Sequence, residues 1–125
     1  MSWVVEFCED YLVEVEALAP VVRRELLAQL HNLRQFGPRL GRPQVGTLNG
    51  SRYSNMKELR FTADDGVWRV AFAFDWHPNA VLLVGGSKTG GSEKRFYKSL
   101  IKVADSRFDR HLSRLQERLD NANNT

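Results

Sequence analysis

The chain has 125 residues, with 18 Lys and Arg against 15 Asp and Glu, for a formal net charge of +3 at pH 7. That length supports a hydrophobic core without disulfides or metal and fits one domain over 1–125. A single cysteine, Cys8, excludes an internal disulfide and any cysteine-based zinc site. No apolar run approaches the roughly 20 residues that a membrane span needs. The amino terminus, Met-Ser-Trp-Val-Val-Glu-Phe, is acidic where a signal peptide is basic. The expectation is a cytoplasmic protein with no membrane association.

Charge is unevenly placed. Residues 1–36 carry 3 basic and 6 acidic side chains, residues 37–102 carry 11 and 5, and the remainder 4 and 4. A positive field concentrated on the middle of the chain favours a polyanionic partner on that side.

Ser2 to Phe7 reads as a short strand, with Trp3, Val5 and Phe7 on one face. Cys8, between Phe7 and Glu9, reads as a packed small hydrophobe. Tyr11, Leu12, Val15, Leu18 and Ala19 keep helical spacing. Pro20 suits the first turn of a second helix, where its missing N–H costs nothing. Val22, Leu26, Leu30 and Leu33 form that helix's apolar stripe, which stops at Phe36-Gly37-Pro38. His31 reads as a surface residue. From Gly37 to Asn55 the chain is glycine- and proline-rich, with Arg39, Arg42 and Arg52 interspersed. A loop of that length is usually functional or mobile; its basic side chains suit a phosphate backbone, and the alternative is a solvated loop of ordinary charge.

Three runs follow: Met56 to Phe61, Val67 to Asp75, and Ala80 to Thr89, separated by Thr62–Gly66 and Trp76–Asn79. Short β-branched and aromatic runs with turn residues between them predict a three-stranded antiparallel meander. Alternation puts Trp68, Val70, Phe72 and Phe74 on one face, and Arg69, Ala71, Ala73 and Asp75 on the other. In the first run Lys57, Leu59 and Phe61 share a face, opposite Glu58 and Arg60. Glu58, Arg60 and Arg69 are therefore expected to meet on one open, alanine-floored face. Such a cluster is either an anion site or a solvated salt-bridge patch. After Gly90-Gly91-Ser92, with Ser92 as N-cap, a last helix carries Tyr97, Leu100, Ile101, Ala104, Phe108, Leu112, Leu115 and Leu119 at helical spacing. Its first turns are basic, and a frayed tail is expected over 120–125.

Gly85-Gly86-Ser87-Lys88-Thr89-Gly90 resembles a nucleotide-binding P-loop only superficially, because Ser87 and Leu82 stand where that motif needs glycine. His31, His77 and His111 show no spacing that suggests a triad or a metal site. The positive region lacks the clustered carboxylates of a magnesium nuclease. RNA cleavage by this chain would therefore proceed without metal, the RNA's own 2′-OH attacking the phosphate and cationic side chains stabilising the added charge. Removing one such cation costs about 10²–10³ in rate.

The order strand, two helices, loop, meander, helix resembles the RelE/ParE superfamily of toxins from toxin–antitoxin modules. Lys57-Glu58-Leu59-Arg60-Phe61, Trp68-Arg69-Val70-Ala71-Phe72-Ala73-Phe74-Asp75 and Leu82-Leu83-Val84-Gly85-Gly86-Ser87-Lys88-Thr89-Gly90 are similar to its HigB-type, phage-derived branch. The resemblance implies a RelE-like α+β fold. That fold is a small antiparallel sheet, made of the N-terminal strand and the meander, with two N-terminal helices and a long C-terminal helix. It further implies an mRNA endonuclease acting on ribosome-bound message with no cofactor, held inactive by a small helix-turn-helix antitoxin.

Residue by residue, Arg69 matches the strand arginine that RelE-like toxins place against the scissile phosphate, and Arg60 a basic position on the preceding strand. Lys88 falls near the basic residue after the third sheet strand, and Tyr97 matches a tyrosine that contacts the substrate base. Glu58 stands where RelE has a lysine, and Met56 at a second lysine position, so Glu58 is read either as a general base or as a holder of Arg60 or Arg69. Arg39, Arg42, Arg52, Lys57, Arg95 and Lys98 are the expected substrate-binding side chains, Lys57 ranking below the others by parity. Two alternatives stand beside the nuclease: a ParE-like gyrase inhibitor or a nucleic-acid- or protein-binding module on the same fold, and a phage-encoded structural or regulatory protein.

Overall fold

The computed structural model describes residues 2–88 and 90–124. In chain order its elements are β1 (Val5–Phe7), α1 (Glu9–Glu16), α2 (Pro20–Phe36), a 3₁₀ turn (Gly37–Arg39), β2 (Val45–Thr47), β3 (Lys57–Ala63), β4 (Gly66–Phe74), β5 (Ala80–Ser87) and α3 (Glu93–Asn123). The strands form one sheet in the order β1-β5-β4-β3-β2.

The expected meander is present as β3, β4 and β5. The β3–β4 turn is tighter than the expected five-residue linker: Asp64 and Asp65 alone make it, with φ of 51° and 58°. A two-residue turn with both positions left-handed matches the twist of the strands it joins, and aspartate tolerates that conformation better than most residues. Arg60 stands opposite Arg69 in the resulting register, and Arg69 opposite Gly86 of β5.

Two details of the sheet differ from the sequence reading. First, β1 pairs with β5 in parallel, so the sheet is mixed. The strand also starts at Val5, because the Trp3 N–H is taken by the Arg34 carbonyl at the end of α2. Second, the loop before the meander contains β2, which adds to β3 as an edge strand. Gly37 ends α2 with φ 54°, and a Cβ there would run into the Trp3 indole. Only glycine combines that backbone with that close approach.

The sheet has a helical layer on each side. Leu59, Phe61, Val70, Phe72 and Leu82 pack against Tyr11 and Val15 of α1 and Val22, Leu26, Leu30 and Leu33 of α2. On the other side Met56, Ala71, Ala73, Val81 and Leu83 pack against Leu100, Ala104 and Phe108 of α3. This corrects the expectation of an open alanine floor, since Ala71 and Ala73 are completely buried. Short side chains on that strand face make the seat into which α3 sinks. Arg60, farther along that face, reaches solvent.

α3 is helical to Asn123, where the sequence reading places a frayed tail from 120; the Asn124 N–H bonds the Asp120 and Asn121 carbonyls. Ser92 caps its start, its Oγ accepting the Arg95 N–H at 3.3 Å. Thr89 and Thr125, which fall in the third expected strand and the tail, lie outside the described residues. No helix among the described residues is long and apolar enough to cross a membrane.

Candidate active site

Strand alternation aims Glu58 and Arg60 from β3 toward the same side as Arg69 from β4, and the first turns of α3 descend over them. Glu58 Oε1 accepts the Tyr97 hydroxyl at 2.9 Å and lies 3.2 Å from Arg60 Nε. The carboxylate is almost wholly shielded, whereas the Arg60 side chain is 47% exposed. Burial raises the Tyr97 pKa, and the hydrogen bond to Glu58 and that carboxylate's charge raise it further against the opposing pull of Arg69 and Arg60. Tyr97 is thus a neutral phenol at physiological pH, able to donate.

Arg69 is as enclosed as Glu58, each 7% exposed. Its guanidinium carbon lies 5.7 Å from the Phe96 ring centroid and 5.6 Å from that of Tyr97, both within cation–π range. Its Nη2 is 3.8 Å from Glu93 Oε1, and its buried Nε makes no hydrogen bond. Gly86 makes room for this arrangement, since a Cβ there would come within 3.3 Å of the Phe96 ring. The sequence reading put Arg60 and Arg69 on one open surface. They are neighbours, but the aromatic cap of α3 covers Arg69 and leaves Arg60 as the exposed cation.

Glu58, Arg60 and Tyr97 line a cavity of about 360 Å³ together with Arg42, Pro43, Gly46 and Thr47. Arg42, Gly46 and Thr47 continue into a second cavity that adds Arg39 and Lys57. The two form one groove along the β2 edge, with Arg39, Arg42 and Lys57 at one end and the Glu58–Tyr97 pair at the other. Arg39 also lies over the Trp3 ring, 5.7 Å from its centroid. Lys57, ranked low by parity, nevertheless lines the groove, standing opposite Thr47, the last residue of β2.

Other expected site residues lie elsewhere. Arg52 is committed to Asp109 and Asp105 of α3; its charge is met within the fold. Lys88 and Arg95 line a separate cavity with Phe96, Gly90, Gly91 and Ser92, so Lys88 does not join the Tyr97 cavity. Lys98 is exposed on α3.

A second polar cluster lies toward the far half of α3. His111 Nε2 is 2.9 Å from Asp75 Oδ2, although spacing alone gave this histidine no partner. Burial pushes the Asp75 pKa up, but hydrogen bonds from His111 and the Asn79 and His77 N–H groups outweigh it and hold the carboxyl below its usual range. Thirty-six positions separate the pair, and only the packing of α3 on the sheet brings them together. Cys8 is half-buried, as expected, with its thiol donating to the Leu83 carbonyl at 3.4 Å.

The sequence pattern of the family described as "Phage derived protein Gp49-like (DUF891)" matches residues 13–109. "Putative toxin HigB3" of Mycobacterium tuberculosis (strain ATCC 25618 / H37Rv) is 40% identical over 106 residues, 82% of this chain and 90% of that protein. "Putative toxin HigB2" of the same organism is 39% identical over 93 residues, 74% of this chain; the match spans 46% of that protein's length. Among solved structures, a double mutant of the Escherichia coli toxin RelE in the free state superposes with a TM-score of 0.54. It shares 18% identity and covers 81% of this chain and 95% of that one, a likeness of fold. The chain therefore belongs to the phage-derived Gp49-like family as a HigB-type member, built on a RelE-like fold.

Proposed function

We propose that this protein is the toxin of a type II toxin–antitoxin module and acts as a metal-independent endoribonuclease on ribosome-bound mRNA in the cytoplasm. The observation that carries the reading is the Glu58 carboxylate shared between Tyr97 and Arg60 at the end of a basic groove. A carboxylate can take a proton, a guanidinium can meet a phosphate, and a ring can meet a base. Relatives named as toxins support the biological role.

In this reading Glu58 accepts the proton of the attacking 2′-OH. The 2′ oxygen bonds phosphorus, the P–O5′ bond breaks, and the 5′ oxygen leaves as an alcohol with a proton drawn from water. A 2′,3′-cyclic phosphate remains. Arg60 meets the phosphate directly, and Arg69 adds positive potential from behind the aromatic cap, where low permittivity strengthens it. Tyr97 stacks on a neighbouring base. Arg39, Arg42 and Lys57 hold the flanking backbone, and Lys88, Arg95 and Lys98 extend the positive field on the far side of Phe96. The partner that silences the toxin is a helix-turn-helix protein that covers this groove.

The test is to map new 5′ ends on mRNA after induction, with translation running and with translation blocked. Cuts that need translation and vanish in both Arg60→Ala and Arg69→Ala are expected. A protein that arrests growth with no new 5′ ends, while DNA supercoiling changes, would replace the nuclease by a gyrase inhibitor.

A further inference from the structure

We propose that Glu6, Asp75 and His111 form a site for one zinc ion, away from the candidate active site, that ties α3 to β1 and to the turn after β4. One ligand atom from each side chain lies within 4.8 Å of the others. His111 Nε2 is 2.9 Å from Asp75 Oδ2 and 3.9 Å from Glu6 Oε1. Zinc takes nitrogen and oxygen ligands at about 2.0–2.2 Å, which separates neighbouring ligand atoms by about 3.3 Å and limits any pair to roughly 4.2 Å. An ion seated among these three atoms therefore asks for small shifts, chiefly of the partly exposed Glu6.

Chemistry narrows the choice of ion. One imidazole with two carboxylates suits zinc, whereas magnesium and calcium favour all-oxygen sets. The three ligands come from three different elements, so this is more than a run of surface acids. The Asp75 side chain is completely shielded from solvent and that of His111 is 15% exposed. Asp75 is also aimed: its Oδ1 accepts the His77 N–H at 3.0 Å and the Asn79 N–H at 2.7 Å, which turns Oδ2 toward the imidazole. Backbone donors that orient a ligating carboxylate are the usual support of a metal site. Glu6 and His111 also line a cavity of about 170 Å³, where water can complete the coordination.

Arg107, Arg110, Arg114 and Arg118 border the same cavity, and their charges would oppose a cation if left free. Three are met by carboxylates of α1: Arg107 by Asp10 and Glu14, Arg110 by Asp10, and Arg114 by Glu9; Arg118 is exposed, where solvent and salt screen its charge. Cys8 lines the cavity too, but its thiol is turned to the Leu83 carbonyl and stands outside the ligand set. On binding, the hydrogen that Nε2 donates to Oδ2 leaves that nitrogen through water, the ring then holding its one hydrogen on Nδ1, and each atom of the former hydrogen bond takes a bond to zinc.

The test uses the full chain freed of metal with a chelator, titrated with zinc sulfate by calorimetry while thermal melting is followed in parallel. Saturation at one equivalent is expected, with a melting temperature that climbs with zinc and does not respond to equal magnesium. His111→Gln and Glu6→Gln should each weaken binding tenfold or more, whereas Cys8→Ser and His77→Gln should bind as the parent does. Should His111→Gln fail to fold by circular dichroism, Glu6→Gln decides alone. No saturable uptake, uptake unchanged in the deciding variant, or uptake abolished in Cys8→Ser would overturn the site. None of these readouts depends on RNA cleavage.

Discussion

The Tyr97 hydroxyl donates to the Glu58 carboxylate across 2.9 Å, joining the first turns of α3 to the start of β3. The two halves of the proposed chemistry can therefore be separated by substitution. Glu58→Gln keeps an acceptor for the phenol but no base at neutral pH. Cleavage by purified protein on programmed ribosomes should fall about 10²–10⁴-fold. Tyr97→Phe keeps the ring and should stay within roughly tenfold of the parent, while Tyr97→Ala removes base stacking of about 1–3 kcal/mol. Primer-extension initial rates distinguish the three.

The basic groove makes a separate prediction about salt. Arg42→Ala and Lys57→Ala should weaken binding of single-stranded RNA across sequences. Each should also reduce the slope of log affinity against log salt by about 0.7 for every phosphate that is no longer neutralised. Arg52→Ala should leave that slope unchanged, because Arg52 already pairs with Asp109 and Asp105. Filter binding from low to moderate salt, with an uncleavable 2′-deoxy strand, measures it.

All three tyrosines carry pKa values above the ordinary 10.0. Burial raises Tyr11 furthest. Burial and the hydrogen bond to Asp109 push Tyr53 up to about 12, and burial with Glu58 raises Tyr97. A raised folded-state value means that the unfolded chain releases its phenolic protons first. The stabilisation is therefore complete below pH 10 and drains away as pH climbs through the folded values. Absorbance of tyrosinate at 295 nm should stay low until the protein unfolds in alkali, then appear together with the loss of circular dichroism.

Asp105 holds the segment before β3 onto α3. Its carboxylate accepts the Ser51 hydroxyl and, at 3.0 Å, the Arg52 N–H, in a position that is 6% exposed. Asp105→Ala should cost about 1–3 kcal/mol for the donors left without a partner. Urea melts give the loss, and limited proteolysis should show new cutting near 51–55.

Local patterns in the chain revealed much of this architecture. Helical spacing marked all three helices, and alternation placed Arg60 and Arg69 side by side. Alternation could not say what covers a face, however. Ala71 and Ala73 read as an open floor, yet small residues in a strand serve equally well as a seat for a helix, and α3 takes it. Nor could spacing reveal pairings between distant segments. The Arg52–Asp109 pair and the His111–Asp75 pair depend on where α3 lies against the sheet. β2 escaped notice because three residues around a glycine are too short to show a period.

The guanidinium of Arg69 lies against two aromatic rings with its Nε lacking any hydrogen bond. It has already given up most of its hydration in the resting fold. An anion arriving at its remaining open edge would have little water to strip from the cation, so the attraction would be opposed chiefly by the anion's own dehydration. The same dryness makes the empty protein less stable than it could be, and a bound oxyanion should reveal itself as greater resistance to heat.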